Sequence, residues 1–297
     1  STIKCGSTYH MIPKTYFTFP IKLVEFLNER KINTIYWVPS ALAIVSNWNV
    51  FDFARPEHLQ KILFAGEVMP VKHLNYWRRY LPDCLYANLF GPTETTDICS
   101  FYVVDRNFAD SDSLPIGRAC NNCDTFLLTE EGTRASRTGE EGEIVVRGSF
   151  LADGYYNEPE KTAAVFTQNP LNTAFPERIY RTGDLARLNE KGEFIYISRK
   201  DFQIKRMGYR IELGEIEAAA GSIEKVKSAA ALYDADTGRI LVIYDGSIKD
   251  TDEVLQQTAD KVPPYMRPDE VIRIKQMPYN ANGKIDRVKL KEQFIHA

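Results

Sequence analysis

The sequence predicts an α/β protein in three textures: a parallel sheet with helices, a barrel-like β layer, and a small α+β domain. Three observations carry this. In the first hundred residues, short apolar strands alternate with helical segments, the pattern of a parallel sheet covered on both faces. After about residue 110, short strands are divided by Gly- and Asp-containing turns. From about residue 202 the texture returns to mixed helix and strand.

The elements follow in order. Leu23-Val-Glu-Phe-Leu27 has the spacing of an amphipathic helix. Asn33 to Val38 is β-branched and aromatic and stops at Pro39, which reads as a strand. Leu42 to Val45 begins another helix, and Ile62-Leu-Phe-Ala65 is an apolar strand ending at Gly66. His73 to Tyr80 is helical, and Leu85 to Phe90 is a strand before Gly91-Pro92. In the second texture, strands lie at 126–128, 143–146 and 193–197, as an antiparallel or barrel-like layer. In the third, a helix is expected near 214–220, strands at 227–233 and 239–244, a helix at 252–261 and a strand at 270–275. Asp250 and Glu253 have the spacing of a capping box at the start of the last helix.

Composition narrows the function classes. The 297 residues are 44% hydrophobic and 26% charged, enough for two domains with their own cores. Lys+Arg number 37 against Asp+Glu 40, so no strongly basic face marks a nucleic-acid binder. No apolar run reaches the ~18 residues of a membrane-spanning helix. The five cysteines are scattered, which fits a reducing cytoplasm better than a disulfide framework. Cys120-Asn-Asn-Cys123 has zinc-like spacing but no companion Cys/His pair. The four histidines form no triad-like setting, and neither a nucleophile elbow nor a Walker loop is present. The chain opens at Ser1 rather than methionine, which suggests processing or a longer parent polypeptide.

Four segments carry chemistry. In Asn88-Leu-Phe-Gly-Pro-Thr-Glu94, a carboxylate beside a hydroxyl follows a strand and can hold a hard cation with a phosphate oxygen. The same residues also read as a Gly-Pro turn with a solvated glutamate. In Arg181-Thr-Gly-Asp184, the two carboxylate oxygens match a vicinal diol, or satisfy their own turn. Arg199-Lys-Asp201 opens an alternating run that reaches Gly208. Its arginine offers a planar fork to ribose or phosphate oxygens, or only solvated charge. Asn282-Gly-Lys284 sets an ammonium past a turn, useful if the tail folds back over a cleft.

Together and in this order, these segments resemble the adenylate-forming superfamily of amino-acid adenylation domains, acyl-CoA synthetases and luciferases. Ala65-Gly-Glu-Val-Met-Pro70, Leu114-Pro-Ile-Gly-Arg118, Gly142 to Gly148, Gly154 to Thr162 and Val262-Pro-Pro-Tyr-Met-Arg-Pro268 agree. The wording around Gln203-Ile-Lys, Ile211 to Glu217 and Asn282 to Arg287 is closest to amino-acid adenylation domains, of the nonribosomal peptide synthetase or D-alanine:carrier-protein ligase type. The resemblance implies residues 1–200 as the carboxyl-terminal part of a large AMP-binding domain and 201–297 as a small mobile lid. It implies a ligase that uses ATP and Mg²⁺ to make an aminoacyl-adenylate, then passes the acyl group to a phosphopantetheinylated carrier protein. Thr93, Glu94 and Lys284 would be catalytic, with Glu94 on the metal. Asn88, Phe90, Gly91, Asp184 and Arg199 would bind the nucleotide, and Gly208 would line the pantetheine path. Leu63, Ala65, Leu89, Asp97 and Ile98 would line the amino-acid pocket, and Asp201 would be the hinge.

Departures are informative too. The family's Ser/Thr/Gly-rich phosphate loop and the aspartate for the substrate ammonium have no counterpart in these residues, so the 297 residues alone are expected to lack activity. Phe90 stands where the family usually has tyrosine, and Asp97 brings a charge to an expected pocket. Two rival readings are an acyl-CoA synthetase of the same fold, which CoA-dependent product formation would reveal, and a non-catalytic nucleotide-binding remnant.

Overall fold

The computed structural model describes residues 2–13, 15–206, 209–280 and 283–295. Its first layer is a five-stranded sheet. After the short helix α1 (Thr15–Thr18) and α2 (Pro20–Glu29) come β1 (Thr34–Trp37), α3 (Pro39–Asn47), β2 (Lys61–Ala65), α4 (Val71–Tyr80) and β3 (Leu85–Phe90). The three strands are parallel. β4 (Ser100–Val103) and β5 (Arg118–Ala119) extend the sheet antiparallel, which the apolar spacing did not suggest. Pro39 both stops β1 and opens α3, because proline's missing N–H costs nothing in a first helical turn.

The helices cover one face of this sheet. Leu23, Val24 and Leu27 of α2 pack with Ile35, Ile62, Phe64, Leu74, Trp77 and Tyr86. Trp77 meets Phe51 edge to face at 4.8 Å between ring centroids and donates its indole N–H to the Leu42 carbonyl at 3.0 Å. The expectation of cover on both faces is corrected here. On the second face Tyr36, Leu63, Ala87 and Val103 form one cross-strand row, with Leu85 in the next. Tyr36 is 47% exposed, and Leu85 and Val103 are each 41% exposed. Runs of consecutive apolar residues read the same whether the second face is buried or open.

The second layer is antiparallel, as expected, and larger than its apolar runs indicated. It comprises β6 (Asp124–Leu128), β7 (Glu141–Arg147), α5 (Pro159–Val165), β8 (Phe166–Gln168), β9 (Arg178–Leu188) and β10 (Phe194–Arg199), in the order β10-β9-β7-β6 with β8 on β9. The two layers join where Gly117 bridges Phe194. Gly117 lies at φ +83°, and a Cβ there would fall 1.8 Å from the Phe101 carbonyl oxygen, so only glycine fits.

A 3₁₀ turn, Lys200–Phe202, leads from β10 into the hairpin of β11 (Gln203–Arg206) and β12 (Tyr209–Glu212). Then follow α6 (Leu213–Gly221), β13 (Val226–Asp234), β14 (Arg239–Gly246), α7 (Thr251–Ala259), β15 (Glu270–Ile274) and α8 (Arg287–Phe294). The sheet β13-β14-β15 is buried on both sides. Ile216, Ala220 and Val254 pack on one face, Met277 and Leu290 on the other. The expected elements lie within about two residues of those found, and the hairpin β11–β12 and α8 are additional. Asp250 caps α7, accepting from the amides of Asp252 and Glu253. The Glu253 carboxylate takes the Gln257 amide instead of closing a box.

Because Asp250 satisfies two of the four orphan donors at that terminus, Asp250→Ala is expected to destabilise the small unit by about 1 kcal/mol. Urea unfolding followed by helix ellipticity measures it; an unchanged midpoint would mean water caps the helix equally well.

Candidate active site

One buried carboxylate organises the site. Glu143 in the middle of β7 accepts from Arg181 Nε at 2.9 Å and Nη2 at 2.6 Å, from Lys200 Nζ at 2.8 Å, and from the Gly183 amide at 3.0 Å. Burial alone would raise the Glu143 pKa, but the bonds from Lys200 and Arg181 outweigh it and hold the carboxyl below the usual range. The register around it is uneven. Glu143 pairs Leu185 and Val145 pairs Arg181, so β9 fits residues 182–184 opposite Ile144 alone. Arg181-Thr-Gly-Asp184 is thus a bulge inside an eleven-residue strand, where the sequence suggested a turn. Thr182 pins it by donating its hydroxyl to the Ile144 carbonyl at 2.7 Å and accepting the Asp184 amide at 3.0 Å.

The bulge turns Asp184 inward, leaving it 7% exposed. Arg199 Nη1 lies 3.5 Å from its Oδ1, and the Tyr196 hydroxyl donates to the same oxygen at 3.4 Å. Burial pushes the Asp184 carboxyl up to about 6, against the pull of Arg199, Tyr196 and Lys284. Phe90, at the end of β3, sits 6.3 Å from the Tyr196 ring and tilted by 44° to it. Asn88, two residues earlier, is buried and donates its amide to the Pro115 carbonyl at 2.8 Å, bracing β3 beneath Phe90.

The loop after β3 carries the second carboxylate. A Cβ on Gly91 would lie 2.1 Å from the Asp97 carbonyl oxygen, so glycine lets the loop fold back on itself. Thr93 is exposed on the 3₁₀ turn Thr93–Thr95. Glu94 accepts the Tyr155 hydroxyl at 2.5 Å, and its carbonyl takes the Ala152 amide. That leaves a hard oxygen donor beside a hydroxyl, the donor chemistry Mg²⁺ uses when phosphates and water complete its shell.

Lys284 arrives from the small unit. Its Nζ lies 4.0 Å from the position a Cβ would take on Gly66, in the loop after β2, and Gly283 accepts the Ser40 hydroxyl at 3.3 Å. Its charge acts on Glu67 and on Asp184. The loops after β2 and β3 lie at the carboxyl edge of parallel strands, the usual ligand edge of such sheets.

Leu63, Ala65 and Leu89 share the open face of the first sheet, with Ala65 directly beside Leu89. Tyr36 joins them and was not singled out in the sequence. Its signal is register, since it pairs Leu63 on that face. The Tyr36 hydroxyl donates to both oxygens of the exposed Asp97, at 3.1 and 3.3 Å, and burial, reinforced by Asp97, pushes its pKa up to about 12. Ile98 is half-buried beside Asp97. The backbone of Asp201 lies in the turn Lys200–Phe202. Gly208 and Asn282 lie outside the described residues.

Glu143→Ala is expected to cost about 2 kcal/mol at pH 7, the scale of lost charge-assisted bonds whose cations are part-exposed. Because the folded carboxyl titrates below the unfolded value of about 4.3, this contribution is present above that pH and fades below it. The gap between the denaturant midpoints of the two proteins is therefore expected to narrow as the pH falls below the usual carboxylate range; a gap that does not change with pH would assign the effect to packing.

Comparison with known proteins agrees with this geometry. Residues 1–156 match the AMP-binding enzyme family, and residues 215–284 match the AMP-binding enzyme C-terminal domain. The chain is 33% identical to tyrocidine synthase 3 of Brevibacillus parabrevis over 291 residues, 97% of this chain and 4% of that protein. It is 32% identical to an L-proline--[L-prolyl-carrier protein] ligase of Pseudomonas fluorescens, over 98% of this chain and 56% of the ligase. The chain thus spans little more than half of that ligase and a small part of the synthase. Among solved structures it resembles holo-AB3403, a four-domain nonribosomal peptide synthetase bound to AMP and glycine. There the TM-score is 0.78 at 29% identity, covering 95% of this chain and 21% of that one. Klebsiella oxytoca NpsA, at 19% identity and a TM-score of 0.81, shares the fold over 95% of this chain and 56% of its own. No described helix is long and apolar enough to cross a membrane. With more than half its length matched to one family and a carboxyl-terminal unit matched to that family's own second domain, the chain belongs to the AMP-binding enzymes.

Proposed function

We propose that this chain carries the nucleotide and lid portions of a ligase that activates an amino acid as its aminoacyl-adenylate and hands it to a carrier-protein thiol. The observation that carries the reading is Lys284, from the small unit, lying against Gly66 at the carboxyl edge of the first sheet, with its charge reaching Glu67 and Asp184. The relatives named for prolyl-carrier-protein ligation and peptide synthesis support it.

In the first half-reaction the substrate carboxylate attacks the α-phosphorus of ATP and pyrophosphate leaves. Negative charge concentrates between carboxylate and α-phosphate, and Lys284 would neutralise it there. Asp184 would accept the two ribose hydroxyls, steadied by Arg199 and Tyr196, while Phe90 would stack on the base above Asn88 and Gly91. Thr93 would contact phosphate. Glu94 would hold Mg²⁺, which neutralises phosphate charge when bound. Leu63, Ala65, Leu89, Asp97 and Ile98 would face the amino-acid side chain. In the second half-reaction the pantetheine thiol, guided past Gly208, attacks the acyl carbon and AMP leaves. The small unit would turn at Asp201 between the two. Five free cysteines support a reducing, cytoplasmic setting.

In an exchange-competent polypeptide carrying these residues, Lys284→Ala is expected to slow amino-acid-dependent pyrophosphate exchange by about 10²–10³. Carrier loading from a preformed adenylate should change far less; equal losses in both would remove the assigned role.

Asp184→Asn is expected to weaken AMP binding by about 1.5–3 kcal/mol, because an amide offers one acceptor where a carboxylate offers two. With a carboxyl that titrates near 6, wild-type affinity should fall as the pH drops through that value and the acceptor becomes protonated. Calorimetry of AMP binding between pH 5 and pH 8 checks both; a flat profile would make Asp184 a purely structural residue.

A further inference from the structure

The small unit touches the first layer at a second place, far in sequence from Lys284. Lys72, in the first turn of α4, donates its ammonium to the Gly221 carbonyl at 2.5 Å and the Val226 carbonyl at 2.8 Å. Gly221 ends α6 and Val226 begins β13. The last carbonyls of a helix have no partner within it and carry the negative end of its dipole, so a cation from outside is the fitting complement. Burial pushes the Lys72 ammonium down to about 8. Beside it, the Lys227 ammonium of β13 lies 5.4 Å from the centre of the Trp48 ring, at the end of α3.

We propose that Lys72 is a positioning residue, the latch that holds the small unit in the orientation where Lys284 lies against Gly66. The small unit leaves the larger one through a single turn at Lys200–Phe202 and is held beyond it at several points, among them Ser198 on Glu212 and Lys227 over Trp48; two others matter here. One is Gly283 on Ser40, next to Lys284, and the other is α6 on Lys72. A body turning about that hinge moves both points together. Releasing the Lys72 end therefore also loosens the Lys284 end, although Lys72 itself is remote from Asp184 and Glu94 in the chain. Methionine at 72 would preserve the aliphatic stem but strand two carbonyls that the ammonium now satisfies. Arginine would keep the cation and can serve both.

Hydrogen exchange read by mass spectrometry tests this on the 297-residue chain, in wild type, Lys72→Met, Lys72→Arg and the exposed Arg79→Met on the same helix. In Lys72→Met, segments 38–41, 221–227 and 283–287 should exchange about tenfold faster, the scale of one charge-assisted bond. Lys72→Arg and Arg79→Met should stay near wild type, and the amides of β2 and β14 should stay protected, showing that both units remain folded. Unchanged exchange at 283–287, or faster exchange confined to 71–80, would overturn the latch. Its consequence for catalysis rests on the adenylation reading: in an exchange-competent polypeptide carrying these residues, Lys72→Met should then lower the turnover of pyrophosphate exchange with little change in KM for ATP. Faster exchange of the lid segments, with no adenylation activity in a longer polypeptide that supplies the phosphate loop, would support the latch and count against that reading alone.

Discussion

The constraint on which the site depends is the burial of Glu143. A carboxylate in the middle of a sheet must find donors, and this one takes a guanidinium, an ammonium and a backbone amide. Each donor fixes something different. Arg181 and the Gly183 amide hold both sides of the bulge that turns Asp184 inward, and Lys200 ties down the first residue after β10. Asp184 and the root of the small unit are therefore anchored to one atom group. Neither position is set by apolar packing.

Close backbone contact does the remaining alignment. Gly91 lets the loop after β3 touch its own continuation at Asp97, so Glu94 is presented beside Tyr155. Gly117 brings the segment before β5 against Phe101, which stitches the two layers together below Phe90. A side chain at either glycine would separate pieces that must share one cleft. Asn88 performs the same service by a hydrogen bond to Pro115. Bulk hydrophobic burial builds the layers, and these few polar and steric contacts set their register.

Much of this was legible in the sequence, for a physical reason. Strands bounded by Gly and Pro, an Asp cap and short motifs at loops are local signals, so β1 to β3, α7 and the four chemical segments could be read along the chain. What escaped is non-local. The long strand β9 hides behind its own bulge, because Thr-Gly-Asp resembles a turn until β7 is placed beside it. Tyr36 looks like one strand aromatic among several until parallel pairing sets it opposite Leu63 and within reach of Asp97. Lys72 is one of many surface-type lysines on a helix, and only the docking of α6 gives it carbonyls to meet. The half-open face of the first sheet is invisible to periodicity, since apolar runs do not record which side is covered.

The same charges reach from the small unit into the larger one. Asp184 and Glu67 are both raised chiefly by burial, and Lys284 opposes that rise at each. At Asp184, Arg199 and Tyr196 act in the same direction as Lys284, but they reside in β10 and do not leave with the small unit. In this arrangement a cation carried by the small unit offsets part of the cost of burying two carboxyls of the larger one. An arrangement that buries an acid and supplies a cation to it from a separate unit ties the ionised form of that acid to the presence of the unit, without a contact dedicated to the purpose.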